Sequence, residues 1–290
     1  MRSKLFVPGS RAELFLKAMA GEADAISIDL EDSVVTERKS EARDTVAEFL
    51  QSDSARASSK TLIVRVNALD TPYFEADVLA VVLSSLAMLN LPKVESAADI
   101  QAAVAAIERA EGLNGIRVPV RILANIETPK GLRNAAQIGM ANTRVAGLQL
   151  GLADMFEPLG IDRRDARHVH ATLFALRMAA AEAGVFAYDA AFANVTDPDG
   201  YRTEARMAHS LGYLGKSCIH PSQIALANDV FRPSDADIAA AQRILAAMQT
   251  EQAQGAGALL VEGKMVDAPF VRRAQQILEI ARKMGLVSHD

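Results

Sequence analysis

The chain reads as an α/β protein: a (β/α)8 barrel of the TIM type followed by a C-terminal helical lid extension. Three observations point there. Eight short apolar runs, several nearly continuous in Val, Ile and Leu, have the character of strands buried on both faces. Longer amphipathic stretches separate them, so strand and helix alternate. Polar residues, chiefly Arg, Asp and Glu, gather where the apolar runs stop, which in a barrel is the end that carries catalysis. Eight such units fit a closed barrel better than a doubly wound sheet.

The strand expectations are residues 4–7, 25–30, 61–66, 88–92, 121–126, 145–150, 185–190 and 215–219. After the second, residues 36–49 form a helix that Thr36 can cap, with Val46, Phe49 and Leu50 as its apolar stripe. Residues 98–110 and 166–183 are Ala-rich and strongly helix-forming. Beyond the eighth strand the pattern changes. Pro233 and Ser234 open a helix over 238–254, the glycines of 255–257 break it, and 259–266 reads as a short extended or hairpin segment. Asp267 and Pro269 start a last helix. The expected organisation is a barrel over 1–232 and an extension over 233–290 that serves as a lid or subunit contact. No internal repeat or low-complexity linker interrupts it.

Composition bounds the function classes. With 290 residues, half of them hydrophobic, the chain can bury a large core. Its net charge of −5, without a basic block, argues against a nucleic-acid partner. A single cysteine, Cys218, excludes an internal disulfide framework and sits in an apolar stretch as a small buried hydrophobe. The N-terminus meets Pro8 and Gly9 too soon for a signal peptide, and no apolar stretch approaches the ~20 residues of a membrane span. The expectation is a cytoplasmic protein with no membrane partner.

Candidate chemistry lies at the strand ends. Glu127 ends the fifth run and Asp154 follows the sixth in GLAD. Carboxylates on adjacent barrel strands converge, and two of them without His or Cys favour Mg2+, or Mn2+, over zinc. Taken singly, each is equally a helix cap. Arg65 closes the third run in VRVN; its planar fork suits a substrate carboxylate or a developing enolate oxygen, or an ion pair with Asp29 or Glu31. Asp29, Glu31 and Asp32 form an acidic cluster after the second strand, one member of which must be paired or raised in pKa. Lys93 neutralises that cluster; a Schiff-base role has no supporting desolvated setting. His220 reads as a turn residue before a ligand-positioning group or base, and His168 and His170 as solvated.

Seven phrases, in order, carry a resemblance: residues 2–9 (RSKLFVPG), 29–34 (DLEDSV), 65–67 (RVN), 91–96 (LPKVES), 127–131 (ETPKG), 215–224 (GKSCIHPSQI) and 263–269 (GKMVDAP). Over essentially its whole length the chain resembles the citrate lyase β-subunit-like branch of the HpcH/HpaI aldolase superfamily, which includes malyl-, citramalyl- and citryl-CoA lyases. The resemblance implies a Mg2+-dependent lyase that cleaves or forms a β-hydroxyacyl-CoA thioester, with an α-keto acid as the second product, in a homo-oligomer (trimer or hexamer). It implies Glu127 and Asp154 as metal ligands and Arg65 as the group that binds substrate and steadies the enolate. Asp29 and Lys93 become substrate-side residues, with Glu31 and Asp32 beside the catalytic groups. Asp267 resembles a lid aspartate that acts as acid/base, in some members in a neighbouring subunit. Two departures stand out. The family's sixth-strand phrase is closer to GAED or GADD, where this chain has Ala153 before Asp154. Citrate lyase β subunits often carry Asn where this chain has His220, which favours a stand-alone CoA lyase. The alternatives are a pyruvate-type aldolase on free hydroxy-keto acids, a citrate lyase β subunit, or a scaffold-type barrel.

Overall fold

Eight parallel strands follow one another around a barrel. They are β1 (Ser3–Pro8), β2 (Ala25–Asp29), β3 (Thr61–Arg65), β4 (Met88–Leu91), β5 (Arg121–Ile126), β6 (Val145–Leu150), β7 (Phe186–Tyr188) and β8 (Lys216–Cys218). The computed structural model describes residues 1–249 and 258–288. Each strand pairs with its sequence neighbours, and β8 returns to β1. The β7–β8 seam closes through a single parallel bridge between Asp189 and Lys216. All eight expected strands form, each within two residues of its expected ends.

The alternation of the strands sorts their side chains into two environments. Outward residues such as Ile26, Val64, Leu89 and Leu148 pack under the helices in one large core. Inward residues begin with an apolar layer of Ala25, Ile63 and Leu123, backed by Met88 and Phe186. Above it the interior turns polar: Lys4, Ser27, Asn90, Asn125, Gln149 and Ser217 are all buried. Lys4 reaches across from β1 to donate to Gln149 on β6. This polar layer leads up to the charged mouth.

Local capping differs from expectation at one helix. The chain enters Lys39–Gln51 through a 3-10 turn, Thr36–Arg38, so Thr36 lies inside the turn and does not cap. Val46 and Leu50 are buried on that helix as expected. The helices Ala97–Asn114 and Ala166–Glu182 are capped by Ser96, in a capping box with Asp99, and by Asp165. No helix among the described residues is long and apolar enough to cross a membrane.

Internal contacts divide the chain into two units, Met1–Phe231 and Arg232–Asp290. Within the second, Ser234 and Asp237 form a capping box at the start of the helix Asp235–Met248. That helix runs to Met248 with Gln249 at its C-cap position; residues 250–254 of the expected helix, and the break at 255–257, lie outside the described residues. Two further strands, β9 (Ala258–Val261) and β10 (Lys264–Asp267), pair as an antiparallel hairpin. The helix Ala268–Lys283 packs on Asp235–Met248 through Ile238, Ala241, Ala274, Leu278 and Ala281.

Behind the β7–β8 seam lies an ion pair with no solvent exposure. Lys216 Nζ is 2.7 Å from Asp189 Oδ2, and Glu204 Oε2 is 3.7 Å away. Arg163 in turn holds Glu204 at 2.7 Å. Removing one partner strands a buried charge, so Lys216→Met should cost about 3–5 kcal/mol in urea unfolding. The double variant Lys216→Met/Asp189→Leu should recover much of that loss; equal losses in single and double variants would show that the charge pairing is not what seals the seam.

Candidate functional site

Strand register builds the first half of the site. Asp29 at the end of β2 and Arg65 at the end of β3 are register partners, so their side chains start side by side. Arg65 holds Asp29 bidentately, Nε–Oδ1 at 2.7 Å and Nη2–Oδ2 at 2.8 Å. Its Nη1 lies 2.8 Å from Glu31 Oε2, as an ion pair without hydrogen-bond alignment, and 3.2 Å from Asp32 Oδ2. Burial alone would raise the Asp29 pKa, but the Arg65 charge and hydrogen bonds outweigh it and hold the carboxyl below its ordinary value. Burial pushes Glu31 up against the pull of Arg65 and Lys93. Lys93 Nζ sits 2.9 Å from Glu31 Oε1, and that hydrogen bond raises the lysine. The expected cluster, Asp29, Glu31, Asp32, Arg65 and Lys93, is therefore one connected network, and Arg65 pairs with all three acids.

The second half is poor in positive charge. Glu127 follows β5 and is only 2% exposed. Its donors are neutral: the Lys93 N–H to Oε1 at 2.7 Å and the Asn125 amide to Oε2 at 3.2 Å. Burial, then the charges of Asp154 and Glu31, push its pKa up to about 7. Asp154 lies exposed on the short helix Leu152–Phe156 that follows β6. Gly151, just ahead of it, has to be glycine, because a Cβ there would come within 2.5 Å of Glu127 Oε2. Glu127 does not cap the next helix; Thr128 does, accepting from the Gly131 N–H at 3.0 Å.

Among the described residues no group of three or more His, Cys, Asp or Glu is placed to hold a metal ion. That excludes a closed structural zinc site there. A buried acid raised by a neighbouring acid, with only neutral donors, fits instead a hard divalent cation that takes one or two carboxylates and keeps water and substrate oxygens. Glu127 and Asp154 are the donors suited to it. On the Arg65 side of the mouth a cavity of about 360 Å3 is lined by Phe6, Pro8, Asp29, Ser33, Arg65 and Ile219, mixing apolar wall with the arginine.

Asp267 belongs to the Arg232–Asp290 unit, as the last residue of β10 and directly before the helix Ala268–Lys283. It occupies the cap position without a side-chain capping bond, and its Oδ1 is buried without a hydrogen-bond partner. Asp267 therefore starts the last helix by position, without capping it through its side chain. His220 is exposed, with Nδ1 2.8 Å from Ser222 Oγ, as a turn residue. His168 and His170 are exposed too. Burial pushes the Cys218 thiol up to about 11, as befits a packed hydrophobe.

Several residues at the mouth escape sequence reasoning. The Phe6 ring lies 5.2 Å from the Arg65 guanidinium, and the Gly9 N–H donates to the Asp29 carbonyl at 2.8 Å. Asn67 and Lys39 donate to the Leu30 carbonyl at 3.1 and 2.9 Å, and Lys39 also to the Glu31 carbonyl. Strand alternation from Arg65 signals one of these, Asn67; Lys39 leaves no signal of its kind.

The family model for HpcH/HpaI aldolase/citrate lyase matches residues 2–221. A citrate lyase subunit beta from Leuconostoc mesenteroides is 35% identical, across 100% of this chain and 96% of its own length. An L-malyl-CoA/beta-methylmalyl-CoA lyase from Cereibacter sphaeroides is also 35% identical, across 98% and 95%. Among solved structures, CitE from Mycobacterium tuberculosis, in complex with magnesium, acetoacetate and coenzyme A, is 32% identical with a TM-score of 0.75, covering 97% of this chain and 100% of its own. A citrate lyase structure from Burkholderia xenovorans, 24% identical, superposes with a TM-score of 0.84 over 98% of this chain and 92% of its own, which speaks for the fold.

Glu127 gives the metal-free protein a defined pH signature. Its folded pKa of about 7 exceeds its ordinary value of 4.5, so the folded state binds that proton more tightly than the unfolded one. Stability present at low pH is then lost as pH rises from about 4.5 to about 7. Relative to Glu127→Gln, the wild type should lose up to roughly 3 kcal/mol of unfolding free energy between pH 5 and 8 in EDTA. Parallel stability curves for the two proteins would refute the shifted carboxyl.

Proposed function

The chain belongs to the HpcH/HpaI aldolase/citrate lyase family and is a carbon–carbon lyase, and we propose that it is a Mg2+-dependent one acting on a β-hydroxyacyl-CoA such as citramalyl-CoA or malyl-CoA. The products are an acyl-CoA and an α-keto acid. One observation carries the reading: Glu127 is raised by burial and then by Asp154, its donors among the described residues are neutral, and Arg65, whose charge reaches it, walls a cavity. Magnesium with acetoacetate and coenzyme A in the mycobacterial relative supports it.

Glu127 and Asp154 hold the cation; Mn2+ is the alternative hard ion. When bound, such an ion supplies Lewis-acid polarisation of the substrate's hydroxyl or keto oxygen. The chain's own groups do the rest. Asp29 takes two of the five Arg65 N–H donors and its acidic neighbours share Nη1, which leaves N–H capacity for a substrate oxygen. As the C–C bond breaks in the retro-Claisen sense, Arg65 compensates charge on the thioester enolate. Glu31, Asp32 and Asp29 keep that guanidinium fixed and charged, and Lys93 offsets the excess acidity. Asp267 takes the hydroxyl proton and returns it, a role resting on the family resemblance.

Substrate classes are separated by assaying CoA esters, free hydroxy-keto acids and acyl-carrier-linked citrate side by side. Turnover of the CoA esters is expected. Activity only on free acids would identify a pyruvate-type aldolase instead, and activity only on the carrier-linked ester a citrate lyase β subunit.

Glu127→Ala and Asp154→Ala should each abolish Mg2+-dependent turnover, while Arg65→Lys should lower kcat/KM about 100-fold by losing the planar fork. Metal-dependent activity that survives both alanine variants would overturn the ligand assignment. Asp267→Ala and Asp154→Ala, inactive alone, should regain part of the activity when co-assembled if the aspartate acts in a neighbouring subunit. Verified mixed oligomers without recovery would place it in its own subunit's site.

A further inference from the structure

We propose that Lys93 positions Glu127 through its main chain: a left-handed backbone at residue 93, rather than the amine, aims an N–H at the carboxylate that takes the cation. The inference rests on the reading of Glu127 as a cation ligand and adds to it the residue that holds that ligand in place.

Lys93 has φ of +53°, and Glu262 is the other non-glycine residue with positive φ among the described residues. Side chains with a Cβ avoid this region, and a residue kept there needs surroundings that over-determine it. Here the surroundings do. Pro92, whose ring presets its own φ, precedes Lys93 in the turn after β4. Val94 follows, fully buried, its N–H tied to the Asn125 carbonyl on β5 at 3.2 Å. Clamped between them, the Lys93 N–H meets Glu127 Oε1 at 2.7 Å. The amine points elsewhere, to Glu31 Oε1 at 2.9 Å.

The two ends of one residue thus serve two acids. The amine is half-exposed and its partner Glu31 also has Arg65, so that contact is replaceable. The N–H is not, because among the described residues Glu127 has one other hydrogen-bond donor, the longer Asn125 contact. The backbone donor aims Oε1, and Oε2, touched by the Asn125 amide at 3.2 Å, keeps a lone pair for a cation, at no cost in competing positive charge.

Substitutions that treat backbone and side chain differently test this. Lys93→Gly removes the amine and favours positive φ; Lys93→Val removes the same amine, and its β-branch opposes positive φ. Both lose the same charge. The readout is the dissociation constant of Mg2+ alone for the full-length protein, by calorimetry, with folding checked by circular dichroism. Lys93→Gly should bind within about threefold of wild type, and Lys93→Val at least about tenfold more weakly. Lys93→Ala, a milder strain should the valine variant not fold, should fall between them. Equal weakening of the glycine and alanine variants would assign the effect to the amine, and a folded valine variant with wild-type affinity would make the turn merely structural; either overturns the proposal. Glu127→Ala is the separate control. If it binds Mg2+ as wild type does, the ligand reading fails and takes this inference with it; if it does not bind while the Lys93 series is flat, only this inference fails.

Discussion

The barrel mouth is organised by one buried cation. A guanidinium at the end of an apolar strand cannot be left unpaired, and neither can three carboxylates in one short loop. Arg65 and the Asp29–Glu31–Asp32 segment solve each other's problem. Parallel pairing of β2 with β3 brings Asp29 level with Arg65 before any side chain chooses a rotamer. The bidentate contact then fixes the fork, and Glu31 and Asp32 gather on its remaining edge. Asn67 and Lys39 both fasten the Leu30 carbonyl of the same loop, and Lys39 the Glu31 carbonyl as well. Replacing the arginine with a shorter cation would thus disturb the loop as well as remove a charge.

Two carboxylates at this mouth are equally buried and oppositely tuned. Asp29 is 3% exposed and Glu127 is 2% exposed, so desolvation penalises both. Asp29 nevertheless falls below its ordinary value while Glu127 rises to about 7. The difference is their neighbours: one faces Arg65, the other faces Asp154 and Glu31 across neutral donors. Positive charge from the protein gathers on the Arg65 side of the mouth. The acidic excess on the other side is what a divalent cation would neutralise.

How much of this could be read from the chain follows from how each feature is encoded. The strands are legible because burial on both faces writes continuous apolar runs, and observed ends fall within two residues of those runs. Arg65 and Glu127 are legible because a charge that ends an apolar run must have a reason. Caps are less so: Thr36 fits the cap pattern, yet the chain enters its helix through a 3-10 turn. The phrase LFVPG looks like plain strand and turn; Phe6 against the arginine and Gly9 against Asp29 exist only once β1 lies beside β2. The backbone of Lys93 is a tertiary product of its clamped neighbours, invisible to propensity. Asp267 shows the opposite failure, since its Asp-Ala-Pro context matches a cap that the side chain does not make.

Beneath the mouth the same logic governs a second, quieter cation. Lys4 is fully buried in the barrel, 4.3 Å from the Phe6 ring, whose centroid also lies 5.2 Å from Arg65. No carboxylate among the described residues forms a salt bridge with it, and its side chain donates instead to Gln149. Burial first, and the charge of Arg65 second, hold its pKa well below the ordinary lysine value. A permanently charged Lys4 would compete with Arg65 for the electron-rich ring and for the field of Asp29. Favouring the neutral amine removes that competition while still satisfying the glutamine. The barrel thereby carries a polar interior up to its mouth, where Arg65 and Lys93 meet the acidic loop.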